Sequence, residues 1–137
     1  MTLFVDTSAW YAAVDADDRE NPRAKEVLAG SEALLTTDHV LVESWLLMYR
    51  RLGRTAAERF WEGLRGGLAN LEPVGAADLQ TAWSIGQLFP KHDFSIVDRT
   101  SFAVMERLGV DRVATCDSDF AVYRYGRDRR RAFTIVS

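Results

Sequence analysis

Leu3-Phe4-Val5-Asp6-Thr7-Ser8-Ala9 stands near the start of the chain and decides how the rest of it is read. Three apolar residues in a row, ended at once by an acid and two hydroxyls, spell a short buried strand that turns directly into a helix, with Thr7 or Ser8 as its N-cap. A strand with no polar alternation is covered on both faces, which is the situation of a parallel sheet flanked by helices.

The same pattern recurs along the chain. Ala33 to Thr37, Val113 to Thr115 and Phe133 to Val136 read as further short strands, and Leu71 to Val74 as a weaker one. Helical spacing fills the intervals: Arg23 to Ala29 after an Asn21-Pro22 start, Val40 to Leu52, Thr55 to Leu68, Asp78 to Phe89 and Ser95 to Leu108. Gly30, Gly53, Gly66-Gly67, Pro90 and Gly109 close them, and Asp38 is expected to cap the helix from Val40. Strands alternating with helices predict an α/β domain built on a mainly parallel sheet. With no repeat, low-complexity stretch or Pro/Gly linker, residues 1–137 are read as one domain.

Composition narrows the class. The 137 residues are 47% hydrophobic and 27% charged, a globular balance that excludes a disordered or fibrous chain. The single Cys116 cannot pair within the chain and suits a reducing cytoplasm. No apolar run approaches the roughly 18 residues of a membrane helix. The N-terminal residues lack the basic start of a leader peptide. Seventeen Lys and Arg against twenty Asp and Glu give a net charge of −3, which excludes binding of nucleic acid by bulk charge. The distribution is uneven. Residues 1–20 hold Asp6, Asp15, Asp17, Asp18 and Glu20 against Arg19. Residues 124–131 hold Arg124, Arg127, Arg129, Arg130 and Arg131 against Asp128.

Ligands of open α/β sheets bind beyond the carboxyl ends of the strands, so the acids there are the candidates. Asp6 follows the first strand, Asp117 and Asp119 follow Val113–Thr115, and Asp98 lies in the first turn of the helix from Ser95. Glu43 sits in Val40-Leu41-Val42-Glu43-Ser44-Trp45-Leu46-Leu47-Met48, a segment so apolar that its carboxylate needs a cation or a proton for company. Each acid also has a structural reading: Asp6 and Asp117 as helix caps, and Asp98 as the capping-box partner of Ser95. Oxygen donors without a His/Cys cluster favour Mg²⁺ or Mn²⁺ over zinc. Carboxylates around such an ion suit phosphodiester hydrolysis. Cys116 is read as a small packing residue, not a nucleophile.

Together, Val5-Asp6-Thr7-Ser8-Ala9, Glu43, Ser95-Ile96-Val97-Asp98 and Ala114-Thr115-Cys116-Asp117-Ser118-Asp119-Phe120 resemble the PIN-domain family over essentially the whole chain. The size and the Thr-x-Asp-x-Asp-Phe ending are most like the VapC toxins of toxin–antitoxin pairs. The resemblance implies a three-layer α/β/α sandwich and Mg²⁺- or Mn²⁺-dependent endoribonuclease activity on structured RNA. Its catalytic acids are Asp6, Glu43, Asp98 and Asp117, with Asp119 fitting the fourth place equally well. Asp6, Asp98, Asp117 and Asp119 are the implied metal ligands, and Thr7, Ser8 and Thr115 would orient carboxylates or water. A homodimer and a cognate antitoxin, seated in an apolar groove near the site, are the implied partners.

Arg124, Arg127, Arg129 and Arg130 are candidate RNA contacts, with Tyr123 and Tyr125 between them as base-stacking rings. The helix from Val40 carries more apolar surface than one core face requires, so part of it is expected to meet a second chain. Three other readings compete. One is a PIN-type RNA-processing nuclease without an antitoxin. Another is a non-catalytic RNA-binding or dimerisation module. The third is a receiver-like or dehalogenase-like domain; the former wants paired acids after the first strand and a lysine near the last, the latter a second Asp where Ser8 stands, whereas here only Asp6 follows that strand and the lysines are Lys25 and Lys91 alone.

Overall fold

A computed structural model of the protein describes residues 1–30 and 32–137. In chain order its elements are β1 (Thr2–Val5), α1 (Thr7–Val14), α2 (Asn21–Leu28), β2 (Ala33–Thr37), α3 (Asp38–Leu52), α4 (Arg54–Arg65), β3 (Asn70–Glu72), α5 (Ala76–Leu88), α6 (Ile96–Leu108), β4 (Arg112–Ala114), α7 (Asp119–Val122) and β5 (Thr134–Val136). The five strands form one sheet in the order β3-β2-β1-β4-β5, every pair parallel. Phe4 in the central strand is level with Leu35 on one side and Val113 on the other.

This order locates the ligand crevice. From β1 the chain steps outward to β2 and β3, then returns across the sheet through α5 and α6 to β4. The direction of winding therefore reverses between β1 and β4. Right-handed crossovers put α1 to α4 on one face and α5 with α6 on the other, the three-layer α/β/α sandwich. At such a switch point the connections after the two neighbouring strands part and leave a cleft at their carboxyl ends. Those ends here are Asp6 and Thr115.

The core explains the apolar strands. Leu3, Phe4, Val5 and Val113 are fully buried, and Trp10, Val40, Met48 and Phe60 pack with them from α1, α3 and α4. The indole N–H of Trp10 donates to Thr36 Oγ1, which itself donates to the Val5 carbonyl, so the buried polar atoms are satisfied. A second set of rings, Phe94, Phe102, Phe120, Tyr123, Tyr125 and Phe133, fills the space beside α6 and α7. Phe102 and Tyr123 stack there at 4.3 Å between centroids.

Several local expectations shift by a residue or two for identifiable reasons. Thr37, not Asp38, caps α3: its hydroxyl accepts from the Val40 amide. Asp38 instead accepts from the Val74 amide and ties the end of β3 to α3. Asp6, not Thr7 or Ser8, occupies the N-cap position of α1, and its carboxylate makes no capping bond. The last turn of the sequence-predicted Thr55–Leu68 helix unwinds after Arg65, where Gly66-Gly67 carries a positive φ of 98° at Gly67. Between β4 and β5 the chain adds the short helix α7, beginning at Asp119 behind Ser118.

Candidate active site

Asp6 is placed by the sheet itself. Its amide donates to the Ala114 carbonyl, extending the β1–β4 ladder by one rung, and its side chain turns into the switch-point crevice, 3% exposed. Ser8 Oγ and Thr115 Oγ1 both donate to Asp6 Oδ2, at 3.1 and 3.0 Å. Each hydroxyl also accepts a loop amide, Cys116 N–H on Ser8 and Asp117 N–H on Thr115. The two hydroxyls also lie 3.1 Å from each other, so Ser8, Thr115 and Asp6 Oδ2 form one closed hydrogen-bonded set. Asp6 Oδ1, by contrast, is buried without any hydrogen-bond partner, as is the hydroxyl of the neighbouring Thr7.

Asp98 enters from the other layer. Ser95 caps α6 by accepting from the Asp98 amide, and the Ser95 amide reaches back to Asp98 Oδ2 at 3.4 Å. The capping box and the site thus use the same residue: the cap fixes the first turn of α6, and the first turn aims the carboxylate. Asp117 comes from the loop after β4 and Asp119 is the first residue of α7, where the Asp119 amide donates to Asp117 Oδ1. One oxygen each from Asp98, Asp117 and Asp119 lie within 4.8 Å of one another. Glu43 of α3 lines the same cleft, with Leu47 and Arg50 on the same helical face, and Asp93 lines it too. The cleft so bounded encloses about 430 Å³.

So many carboxylates in one place resist ionisation. Burial, only partly offset by the Thr115, Thr7 and Ser8 bonds, pushes Asp6 up to about 6 from 3.8. Burial, followed by the charges of Asp6 and Asp117 and by the nearby Asp119, pushes Asp98 up to about 8. Asp119 is raised too, by burial and by Asp117. An unpartnered buried oxygen, oxygen-only donors and pKa values raised by burial, with neighbouring carboxylates adding to it, are what a hard divalent cation would satisfy. The residues present fit such an ion.

Of the residues singled out from sequence, Asp6, Thr7, Ser8, Glu43, Asp98, Asp117 and Asp119 all line this one cleft, with Thr115 beneath them. Both Asp117 and Asp119 reach the cleft, each with an oxygen within 4.8 Å of one from Asp98. Arg50 and Asp93 also line it, and sequence reading missed both. Arg50 had a signal, since it stands seven residues after Glu43 and hence on the same face of a helix. Asp93 sits in an irregular turn with no periodicity to read.

The basic strip lies elsewhere. Arg124, Arg127, Arg129 and Arg130 are outside the acidic cleft. The Arg124 guanidinium donates to the carbonyls of Ala121, Val122 and Tyr123 at the end of α7. The two tyrosines correct the expectation of base stacking. Tyr123 is wholly buried and Tyr125 is 7% exposed, their ring faces taken by Phe102 and Phe133. Cys116 is also not the packing residue expected: its side chain is exposed, and its contribution is the amide that holds Ser8.

The chain matches the family model of the PIN domain over residues 3–125 and belongs to that family. Among curated proteins it is 35% identical over 120 residues to the 23S rRNA-specific endonuclease VapC20 of Mycobacterium tuberculosis, covering 87% of this chain and 92% of that one. It is 27% identical over 116 residues to ribonuclease VapC26 of the same organism, covering 84% and 86%. The crystal structure of VapC20, described as a sarcin–ricin loop cleaving toxin, matches with a TM-score of 0.83 and 34% identity, over 88% of this chain and 93% of that one. VapBC2 from Rickettsia felis, bound to a DNA fragment from its promoter, matches with a TM-score of 0.63 at 9% identity, over 99% and 98%; this likeness concerns the fold alone.

Proposed function

We propose that this protein is the toxin of a toxin–antitoxin pair, a Mg²⁺-dependent endoribonuclease that cuts a structured loop of ribosomal RNA in the cytoplasm. That it is a ribonuclease of the VapC kind follows from its family and from its likeness to VapC20. The observation that carries the mechanistic reading is the close approach of Asp98, Asp117 and Asp119 in the cleft that Asp6, with its buried and unpartnered Oδ1, also lines.

Asp6, Asp98, Asp117 and Asp119 would hold the cation, which when bound supplies positive charge to the developing phosphorane oxygens and makes water more acidic. The remaining steps belong to the chain. Ser8 and Thr115 hold Asp6 Oδ2 and so fix the carboxylate, leaving Oδ1 without a hydrogen-bond partner in the protein. Asp98 would lose the proton that burial and its neighbours' charges hold on it. Glu43, on the α3 rim, accepts the proton of the attacking water. That water adds in line to phosphorus as the P–O3′ bond breaks, and the 3′ oxygen takes up a proton from solvent. The ends are a 5′-phosphate and a 3′-hydroxyl.

The antitoxin would seat an apolar segment in the groove lined by Leu41, Val42, Trp45, Leu46 and Trp61, of about 240 Å³, on the α3–α4 side of the cleft. A second copy of the chain would cover Leu79 and Trp83, exposed one turn apart on α5. The free arginines Arg127 and Arg130 would serve phosphates of a long RNA remote from the cut.

Total RNA incubated with wild type and with Asp98→Asn, each in Mg²⁺ and in EDTA, tests the reading. A discrete cut in 23S rRNA, mapped by primer extension, is expected from wild type with metal alone. Equal cutting by folded Asp98→Asn, or cutting in EDTA, refutes it.

A further inference from the structure

A polyanion does not enter a cleft walled by carboxylates without some positive charge to receive it. Among the described residues, one cationic side chain lines this cleft: Arg50. It stands two helical turns beyond Glu43 on the same face of α3, about 10 Å along the axis.

Its neighbours have other occupations. Arg51 lies over the Tyr11 ring, 5.3 Å from the centroid, and so faces α1. Arg54 is paired with Glu58 at 3.3 Å. The ion pairs among the described residues engage Arg19, Arg23, Arg54, Arg107 and Arg112, and none engages Arg50. Arg50 is exposed and uncommitted in a cleft otherwise of one sign. The basic strip cannot take its place near the reacting phosphate. Thr134 is level with Arg112 at the start of β4, so the loop leading to it descends toward the end of the sheet opposite the acids.

We propose that Arg50 is the substrate-positioning residue of the cleft: it grips an RNA phosphate next to the one being cut, so that the strand enters over the C-terminal half of α3 and past Glu43. A guanidinium is suited to this, because its planar fork meets two phosphate oxygens at once and keeps its charge at every working pH. The assignment rests on the ribonuclease reading above.

The test uses the whole chain and a synthetic sarcin–ricin-loop RNA hairpin as probe. Steady-state cleavage in Mg²⁺ is compared for wild type, Arg50→Ala and Arg50→Lys. Hairpin affinity is measured on the Asp98→Asn background between about 50 and 200 mM salt. Arg50→Ala should raise KM and Kd about tenfold or more, the worth of a charged hydrogen bond, with kcat little changed. The slope of log affinity against log salt should fall by about 0.7 to 0.9, one phosphate contact. Arg50→Lys should keep that slope and recover most of the affinity. A salt slope unchanged in Arg50→Ala, or a loss confined to kcat, overturns the assignment. A wild type that leaves the hairpin whole in Mg²⁺ locates the failure in the ribonuclease reading instead, and the assignment falls with it.

Discussion

Stripped of divalent ions, the protein should become less stable as pH rises from 5 to 8. Asp6 and Asp98 bind protons in the folded state at pH values where the unfolded chain, with ordinary carboxyls near 3.8, has released them. Where the folded state holds the extra proton, stability falls with rising pH. The Asp6 contribution spans about pH 4 to 6. Its displacement of about two units is worth roughly 3 kcal/mol at 1.36 kcal/mol per unit. For 137 residues with an unfolding entropy of about 2.1 cal/mol/K each, that is a Tm loss on the order of 10 °C. Asp98 carries the decline on to about pH 8. Glu32 and Asp78, lowered by Arg112 and Arg107, act in the opposite sense, but only at more acid pH. Thermal denaturation in EDTA at steps from pH 4 to 8.5 measures the effect. Asp98→Asn should flatten the decline above pH 6 while leaving the Asp6 portion below it. Mg²⁺ at a hundred times its Kd should add back about 2.7 kcal/mol. A Tm that holds constant or climbs between pH 5 and 8 in EDTA would refute the account of the acids as mutually repelling and buried.

Thr115→Val removes a hydroxyl proton from Asp6 and an acceptor from the Asp117 amide; it should weaken Mg²⁺ binding, by titration calorimetry, about 10- to 100-fold. Tyr123→Phe should leave stability and RNA affinity nearly unchanged, because the hydroxyl's contact with Glu106 is long at 3.5 Å. Tyr123→Ala should cost about 3–5 kcal/mol in denaturant unfolding by emptying the ring cluster. Asp78→Ala breaks the two-pronged pair with Arg107 and the Gly75 amide bond; about 2 kcal/mol of stability should be lost with cleavage of RNA retained, since neither partner lines the cleft.

The layout of the sheet was legible because its strands are apolar runs three to five residues long, ended by acids or turn residues. Such a run can be buried on both faces in only a few ways. The strand order was not legible: nothing in Val113-Ala114-Thr115 says that it pairs with Leu3-Phe4-Val5 instead of Ala33–Thr37, and that pairing is what creates the crevice. The acids could be found because a carboxylate after a buried strand or within an apolar helix has few innocent explanations. Tyr123 and Tyr125 misled for the converse reason. Between arginines they look like an exposed binding surface, but the chain there doubles back from α7 to β5, and only the tertiary path shows the rings turned inward. Caps shifted by one residue because Thr37 and Asp38 are both good capping types, and the choice was settled by the Val74 amide, which lies far along the chain.

The rung from Asp6 N–H to the Ala114 carbonyl joins the two ends of the chain, with a consequence for the protein's synthesis. The first strand leaves the ribosome with its central place in the sheet still half empty. Its second neighbour follows more than a hundred residues later, about 5–20 s at ordinary elongation rates. Until then Asp6 has neither Thr115 below it nor Asp117 beside it. The nascent chain is therefore an inactive one, and the cutting site closes as nearly the last event of folding, with a long-range contact setting its pace.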